Sequence, residues 1–387
     1  MKIIHSDKRR SLKPTLIAFI LPVMILMLLY IIRGIFPFGD RIYVRMDFYH
    51  QYAPFLREFG EHILNGESLL YSWKYGLGTN YWAHYAYYLA SPLNWILVLV
   101  PGEFIVEAMN IALVFRAGIA GMGMVYFLKE GKKENLSMAA FGVFYALSGY
   151  YLAYSCNVIW MDGYALFPFV ALGILRIAKG KSATVYTISM MISTFSNFYL
   201  AVITGICCIL WLIICLVKGS SKSAKAVWKA IGKFVASTML YVGICAIILV
   251  PTALALANTP AAQEVFSDKV YFYFPFYDLL ERMCMNVPSN LKGSNLPNIY
   301  SSVFVLVLLP MYFGNKYIRL KEKIVNPHFP AFLAFGFNTN ILDYIWHGLH
   351  FPNCFPSRQS FFFIFLVLVM GYEAYTKRTK LSKKILY

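Results

Sequence analysis

Long apolar runs separated by short clusters of lysine and arginine dominate this chain and leave few folds open to it. The first run, residues 14–32, is longer than the roughly 17 residues that a helix needs to cross a bilayer core. The runs lack the strict polar–apolar alternation of outer-membrane barrel strands. Only 14% of the residues are charged and 59% are hydrophobic, whereas soluble domains carry about 25% charged residues. The sequence therefore predicts an all-α polytopic membrane protein.

The basic clusters predict how the helices cross the membrane, because lysine and arginine stay on the cytoplasmic side. Basic residues precede the first run, so the N-terminus is predicted to lie inside. If every later Lys-rich cluster also lies inside, the chain makes about ten crossings and both termini lie in the cytoplasm. The whole chain is then predicted to be one transmembrane domain. The formal charge of +17 then reflects topology and predicts no nucleic-acid partner. The predicted crossings after the first are residues 104–128, 137–154, 158–178, 183–217 (a hairpin broken at 195–199), 234–257, 300–313, 330–345 and 359–375.

Two long segments are predicted to lie outside the membrane: residues 34–90 as the first extracytoplasmic loop and residues 258–298 as the second. In the first loop, Phe55, Phe59 and Ile63 recur at helical spacing, which predicts a short juxtamembrane helix. The apolar residues 91–101 are too short to span and are predicted to be re-entrant or interfacial. Because loops longer than about 12–15 residues are uncommon without a function, the first loop is the leading place for a site.

Asp47 lies just after the first helix, beside Arg45 and several aromatic residues. Ionisable residues in or beside spanning helices cost free energy, so they are functional candidates. A carboxylate here could accept the proton of an acceptor hydroxyl as a general base. Arginine or histidine groups nearby could stabilise a departing phosphate. The alternative is structural, because aspartate is also a favoured N-cap for the helix that follows.

Three further polar clusters are predicted to reach the outer side, and each has a structural alternative. Asp162 could pair with a helix end or an arginine, and Arg358 could snorkel at a helix start. The two histidines could be hydrogen-bonded loop residues. No cysteine or histidine spacing indicates a metal site, no cofactor is predicted, and a need for divalent metal is left open. Together with Arg45 of the first loop, the candidates for substrate or lipid-phosphate binding are Asn157, Trp160 and Asp162; Asn298; and His347, His350 and Arg358.

Three polar residues fall within predicted spanning segments. Glu107 and Arg116 lie on one helix, about 13.5 Å apart along its axis, so they are not expected to pair directly and are interpreted as packing residues. Asn197 lies at the predicted helix break. Its side chain is expected to satisfy backbone groups there.

Several short runs form one pattern, in order, over nearly the whole chain. They are PFGD (37–40), RMDFYHQYAPF (45–55), GESLLYSWKYGLGTN (66–80), YYLASPLNW (87–95), NVIWMD (157–162), SNFYLA (196–201), LPNIY (296–300), EKI (322–324) and IWHGLHFPN (345–353). This pattern resembles the bacterial YfhO family of multispanning membrane proteins. One departure is FPSRQSFFF, where relatives commonly have an aromatic before the arginine and Phe-Ser after it. Arg358 is retained there, but Ser357 and Gln359 differ.

The resemblance implies a GT-C-like bundle and a glycosyltransferase that uses a polyprenyl-phosphate sugar on the outer face of the bacterial plasma membrane. By that resemblance Asp47 is the catalytic carboxylate and transfer proceeds with inversion. The implied acceptor is a cell-envelope polymer of teichoic-acid type. The implied partner is a cytoplasmic polyprenyl-phosphate glycosyltransferase that loads the lipid. Family members generally continue through further helices and an extracellular region, which the resemblance implies is absent from a chain ending at Tyr387.

Two other functions remain open from the sequence. One is a flippase or transporter that moves the lipid-linked sugar without reacting with it. The other is a non-catalytic membrane scaffold. A transporter of this kind is expected to show paired half-helices in repeated halves, and the sequence shows no internal repeat.

Overall fold

A computed structural model describes residues 13–43, 46–219, 223–257 and 269–378. Arg45, the basic residues before Lys13, the first part of the second outer loop and the basic residues after Arg378 lie outside these ranges. A single two-stranded hairpin, β1 (Tyr71–Ser72) with β2 (Thr79–Asn80), interrupts the described helices. These helices are α1 (Pro14–Arg33), α2 (Ala53–Asn65), α3 (Tyr81–Tyr88), α4 (Pro92–Leu97), α5 (Ile105–Leu128), α6 (Leu136–Ala146), α7 (Gly149–Tyr154), α8 (Met161–Ala178), α9 (Thr184–Ser196), α10 (Phe198–Lys218), α11 (Ala224–Leu256), α12 (Asp278–Arg282), α13 (Val303–Gly314), α14 (Leu320–Asn338), α15 (Asn340–Trp346) and α16 (Ser360–Thr376).

Six helices of the described chain are long and apolar enough to cross a membrane, which confirms a polytopic membrane protein. The other predicted crossings coincide with shorter or interrupted helices: α9, α13, α14 with α15, and α16. For example, α13 has 12 residues, or about 18 Å, against a hydrocarbon core of about 30 Å. The total of about ten crossings therefore stays a prediction. The six are Pro14–Arg33, Gly102–Leu128, Leu136–Tyr154, Val158–Ala178, Phe198–Lys218 and Ala224–Leu256.

The predicted break between α9 and α10 is confirmed at Asn197, whose backbone is extended (φ −163°, ψ 107°). Its side-chain oxygen accepts a hydrogen bond from the Leu200 backbone nitrogen at 2.8 Å, which caps α10. Its side-chain nitrogen donates to the Tyr87 carbonyl oxygen at 3.0 Å. The expectation that Asn197 satisfies backbone groups is therefore confirmed, and the same side chain ties the break to the first outer loop.

The segment predicted to cross at residues 330–345 has different helix bounds in the structure. The helix α14 begins ten residues earlier, at Leu320, and Thr339 separates it from α15. The early start depends on Glu322, which lies 2.7 Å from the Arg319 guanidinium and 3.7 Å from the Lys377 ammonium. These ion pairs allow a charged stretch, which in sequence resembles a loop, to form the first turn of a helix.

The central helices approach each other through small residues, with α5 lying against α1, α6 and α8. A β-carbon on Gly121 of α5 would lie 2.3 Å from the Ala18 carbonyl oxygen. One on Gly142 of α6 would lie 2.7 Å from the Gly121 carbonyl oxygen. Close backbone approach of this kind is typical of membrane helices, which associate through van der Waals packing. Any larger side chain at these two glycines would separate the three helices.

The Lys-rich turns meet at one end of the bundle, here named the lysine end. The Lys181 ammonium lies 2.5 Å from the Glu130 carboxylate, and Lys233 donates to the Lys181 carbonyl oxygen at 2.8 Å. The Arg319 guanidinium reaches the Lys218 carbonyl oxygen at 3.5 Å. The grouping agrees with the predicted crossings, while the side of the membrane on which this end lies stays a prediction.

The segments predicted to lie outside meet at the opposite end of the same helices, here named the loop end. The backbone nitrogen of Gly149 donates to the Tyr300 carbonyl oxygen at 2.7 Å, which brings the start of α7 to the residues just after the second outer loop. The hydroxyl groups of Tyr43 and Ser155 are hydrogen-bonded at 2.9 Å, which attaches the first outer loop. A helix is present where the juxtamembrane helix was predicted, as α2 with Phe59 fully buried, while its position at the membrane boundary stays a prediction.

Candidate functional site

Asp47 begins a short π-helical turn, Phe48–Tyr52, at the loop end. It is half-buried, and its side chain makes no capping hydrogen bond. The alternative interpretation of Asp47 as a helix cap is therefore wrong. Phe48 is fully buried, and the Tyr52 hydroxyl donates to the Asn157 side-chain oxygen at 2.5 Å. Both contacts anchor the turn that carries the carboxylate.

Tyr87 links Asp47 electrostatically to Arg358. Burial raises the pKa of the Tyr87 phenol, the Arg358 charge lowers it, and the Asp47 charge raises it. The pKa of Tyr88 rises to about 12, through burial and then through Tyr87 and Asp47. Ring contacts connect the two regions: Tyr52, of the turn that Asp47 begins, lies 5.8 Å from Tyr88, and Tyr87 lies 6.5 Å from Tyr199, the hydrogen-bond partner of Arg358.

Arg358 is held in place by three hydrogen bonds and two aromatic rings. Its Nε and Nη2 atoms donate to the carbonyl oxygens of Phe355 and Cys354 at 3.2 and 3.1 Å. Its Nη1 donates to the Tyr199 hydroxyl at 2.5 Å. The guanidinium carbon lies 4.8 Å from the Trp160 ring centroid and 5.0 Å from that of Tyr199.

Two consequences follow for Arg358. Its side chain is only 9% exposed, so it does not snorkel to the surface as its alternative interpretation required. Its three hydrogen bonds go to neutral oxygens. A planar guanidinium that is oriented but not neutralised by these contacts is suited to bind a phosphate.

A cavity of about 460 Å³ lies beside Arg358 and combines a polar end with apolar walls. Arg358, His347 and His350 line the polar end. The apolar walls come mainly from the first turns of α10 and the last turn of α11, where Val202 and Leu256 are 53% and 43% exposed. The cavity therefore opens sideways between two membrane helices. The wall residues are Tyr87, Phe198, Tyr199, Val202, Ile203, Leu256 and Ala257, with Gly348 beside the histidines.

His347 contributes a buried nitrogen to this cavity. Its Nδ1 lies 2.7 Å from the Asp343 carbonyl oxygen and 3.0 Å from the Asp343 carboxylate, contacts that fit a protonated Nδ1. Burial lowers the pKa of His347, against the raising effect of Asp343, so the ring is neutral near pH 7. Its Nε2 is buried without a hydrogen-bond partner among the described residues. In this tautomer Nε2 is an unused acceptor.

The family model for the bacterial membrane protein YfhO matches residues 18–387. The chain belongs to the YfhO family of bacterial membrane proteins. The matched range contains Asp47, the cavity walls and Arg358, and it confirms the family resemblance inferred from the sequence runs. No match was found among curated proteins or among solved structures.

In this YfhO-family chain, three of the predicted binding residues have structural contacts of their own. Asp162 accepts from Arg116 at 2.7 and 3.2 Å inside the bundle, which is the arginine pairing that the sequence left open. Asn157 accepts from Tyr52. Asn298 accepts from Arg282 at 2.5 Å and so organises the second outer loop. None of the three lines the cavity beside Arg358.

Trp160 and His350 lie at or beside the cavity. Trp160 stacks against Arg358, and His350 donates from Nδ1 to the Phe351 carbonyl oxygen at 2.7 Å. Arg45 lies outside the described residues. In the ranges that the structure describes, no group of three or more histidine, cysteine, aspartate or glutamate side chains could hold a metal ion.

Sequence reasoning missed two tyrosines of the site, Tyr87 and Tyr199, which are two of the 29 tyrosines in the chain. A usable signal was present. Tyr199 follows the helix break at Asn197, and a break near a membrane boundary exposes backbone groups that polar side chains must meet. No sequence pattern indicated the hydrogen bond between Tyr199 and Arg358, since the two residues are 159 positions apart.

Proposed function

We propose that this protein is a glycosyltransferase of GT-C type, which moves a sugar from a polyprenyl-phosphate donor to a hydroxyl of a cell-envelope polymer of teichoic-acid type. The observation that supports the proposal most is the cavity beside Arg358. Its cationic end suits a phosphate, and its apolar walls on α10 and α11 suit an isoprenoid chain entering from the bilayer. The family membership and the position of Asp47 support it further.

In the proposed reaction, the acceptor oxygen attacks the anomeric carbon of the donor sugar. Asp47 accepts the proton from that hydroxyl as general base. The bond between the anomeric carbon and the phosphate oxygen breaks, and polyprenyl phosphate leaves with the electron pair. Arg358 stabilises the charge that develops on the phosphate. One displacement from the opposite face inverts the anomeric carbon.

Two further residues would position the donor in this scheme. The Nε2 atom of His347 would accept a hydrogen bond from a sugar hydroxyl, since its other nitrogen already donates to Asp343. The Tyr199 hydroxyl would keep the guanidinium of Arg358 oriented toward the phosphate. A separate cytoplasmic polyprenyl-phosphate glycosyltransferase would load the sugar onto the lipid. This site would therefore need no nucleotide sugar.

The test is to express the Asp47→Asn variant in cells that lack the parent protein and to measure sugar on the envelope polymer. Removal of a general base is expected to lower transfer by about 10²-fold or more. Asp40→Asn is the matched control, because Asp40 is an exposed acid of the same loop. Equal decoration by both variants at equal protein level would exclude the catalytic role of Asp47.

A second assay separates transfer from transport. Detergent-solubilised protein receives a synthetic short-chain polyprenyl-phosphate sugar and an acceptor, so that sidedness is lost. The expected result is a glycosylated acceptor and free lipid phosphate. Movement of the same lipid across proteoliposome membranes, without any transfer in detergent, would instead identify a flippase.

A further inference from the structure

A second cavity lies at the lysine end, far from Asp47 along the same helices. It has a volume of about 500 Å³ and is enclosed by the ends of α5, α8, α10 and α16. Its walls toward the bundle are apolar and include Phe127, Trp211 and Val369. Its rim carries ammonium groups from all four helix ends: Lys132, Lys179, Lys218 and Lys377.

The carboxylates of this cavity are already engaged with other cations. Glu130 lies 2.5 Å from Lys181 and 3.0 Å from Arg176, neither of which lines the cavity. Glu373 lies 2.7 Å from Lys377. Lys132 and Lys179, by contrast, make no ion pair with an acid of the described residues.

The rim lysines also act on one another. Burial lowers the pKa of the Lys132 ammonium even though part of its side chain meets solvent, and Glu373 opposes this effect. Lys179, Lys377 and Lys218 lower the same pKa further. Positive charges around one cavity repel each other, and an anion bound there would reduce the repulsion.

Helix dipoles explain part of this arrangement, because cations are stabilised near helix C-termini. They do not explain the cavity. A lysine that only offsets a dipole needs no apolar recess beside it, whereas here the indole of Trp211 and the ring of Phe127 form the inner wall. Basic pockets between membrane helices on the cytoplasmic side are typical sites for anionic lipid headgroups.

We propose that the cavity at the lysine end binds an anionic phospholipid of the adjacent leaflet. The phosphodiester lies between Lys132 and Lys179, and the upper part of an acyl chain lies against Phe127, Trp211 and Val369. This site is independent of the sugar-transfer site at the loop end, so either proposal can fail without the other.

The experiment is native mass spectrometry of the full-length protein in nonionic detergent, titrated with phosphatidylglycerol. The parent is expected to bind one lipid saturably and to bind phosphatidylcholine far more weakly. The Lys132→Gln/Lys179→Gln variant is expected to bind phosphatidylglycerol about tenfold more weakly, as expected for the loss of two cations near an anionic headgroup. Lys225→Gln/Lys229→Gln removes the same charge from exposed positions of α11 outside the cavity, and its affinity is expected to stay within about twofold of the parent.

A third variant tests the apolar wall without changing charge. Val369→Trp fills the cavity and is expected to weaken phosphatidylglycerol binding to a similar extent. Equal loss of affinity in the two lysine variants would show a non-specific charge effect and overturn the proposal. Displacement of the lipid by inorganic phosphate at millimolar concentration, with full binding by Val369→Trp, would identify a free-anion site and overturn it as well.

Discussion

The Tyr52 phenol donates a hydrogen bond to the side-chain oxygen of Asn157, across 2.5 Å and 105 residues of sequence. Both side chains are at most 5% exposed. The contact joins the π-helical turn that begins at Asp47 to the segment that leads into α8. It therefore determines where the proposed catalytic carboxylate lies relative to the rest of the bundle.

Replacement of Tyr52 by phenylalanine tests this contact. The change leaves the buried Asn157 oxygen without its donor, at a cost of about 1–3 kcal/mol. We expect a lower apparent melting temperature and about tenfold slower sugar transfer, because a misplaced catalytic group loses its orientation. Tyr49→Phe is the matched control, since Tyr49 belongs to the same turn and is 56% exposed. Identical behaviour of the two variants would contradict the anchoring role.

Arg358→Lys tests the guanidinium geometry at equal charge. Lysine cannot reproduce three oriented donors or the stacking on Trp160 and Tyr199. We expect the KM for a lipid-phosphate sugar to rise at least about tenfold, which corresponds to about 1.4 kcal/mol. Arg57→Lys is the control, because Arg57 is an exposed arginine of the first loop. An unchanged KM would show that Arg358 does not bind the donor.

Variants of the Arg116–Asp162 ion pair distinguish a structural role of Asp162 from a role in substrate binding. The variant Asp162→Leu strands a buried arginine, and we expect a loss of about 3–5 kcal/mol in stability. The double variant Arg116→Met/Asp162→Leu replaces the pair by apolar groups and is expected to recover most of the folded yield and the activity. Fluorescence size-exclusion chromatography measures the yield. A double variant that folds but is inactive would assign Asp162 to the substrate site.

We expect His84 to make the free energy of unfolding depend on pH. Burial lowers its pKa from 6.5 to about 4, and its Nε2 has no hydrogen-bond partner among the described residues. Between these two pKa values the unfolded chain binds more protons than the folded one, so stability is expected to fall as pH drops from about 6.5 toward 4. His84→Phe keeps the aromatic contacts with Phe55 and Tyr75 and removes the titrating group.

The readout for His84 is the apparent melting temperature between pH 7 and pH 4.5. We expect the His84→Phe variant to lose less stability over this range than the parent. His328→Phe, at an exposed position of α14, is the matched control. The same slope in the parent and the His84 variant would show that another group controls the dependence, with buried His347 as the next candidate.

Local patterns in the sequence were sufficient for most helices. Runs of apolar residues predicted α1, α5, α8, α10 and α11, and the helix break at Asn197 carried its own polar signal. The different helix bounds around residues 330–345 have a physical reason. Whether Glu322 belongs to a loop or to the first turn of α14 depends on Arg319 and on Lys377, and the second lies far away in sequence.

The sequence predicted individual residues of the candidate site but not which of them lie together. Asp47, His347 and Arg358 stood out because ionisable side chains near a membrane boundary cost free energy unless they have a polar environment. Which of them share a cavity followed from contacts between distant segments, such as that of Arg358 with Tyr199. Asp162 fitted the same rule equally well, yet its partner proved to be Arg116.

The sequence by itself determined that this chain is a polytopic helical membrane protein of the YfhO family with a carboxylate after its first helix. Hydropathy, charge clusters and short runs are local properties, and they need no knowledge of packing. Only the tertiary structure decided that the Asp47 side chain is not used as a helix cap and that Arg358 lies at the end of a cavity between α10 and α11. It also decided that the lysines of four helix ends surround one apolar recess. These are contacts between residues far apart in sequence, and the packing of the helices determines them.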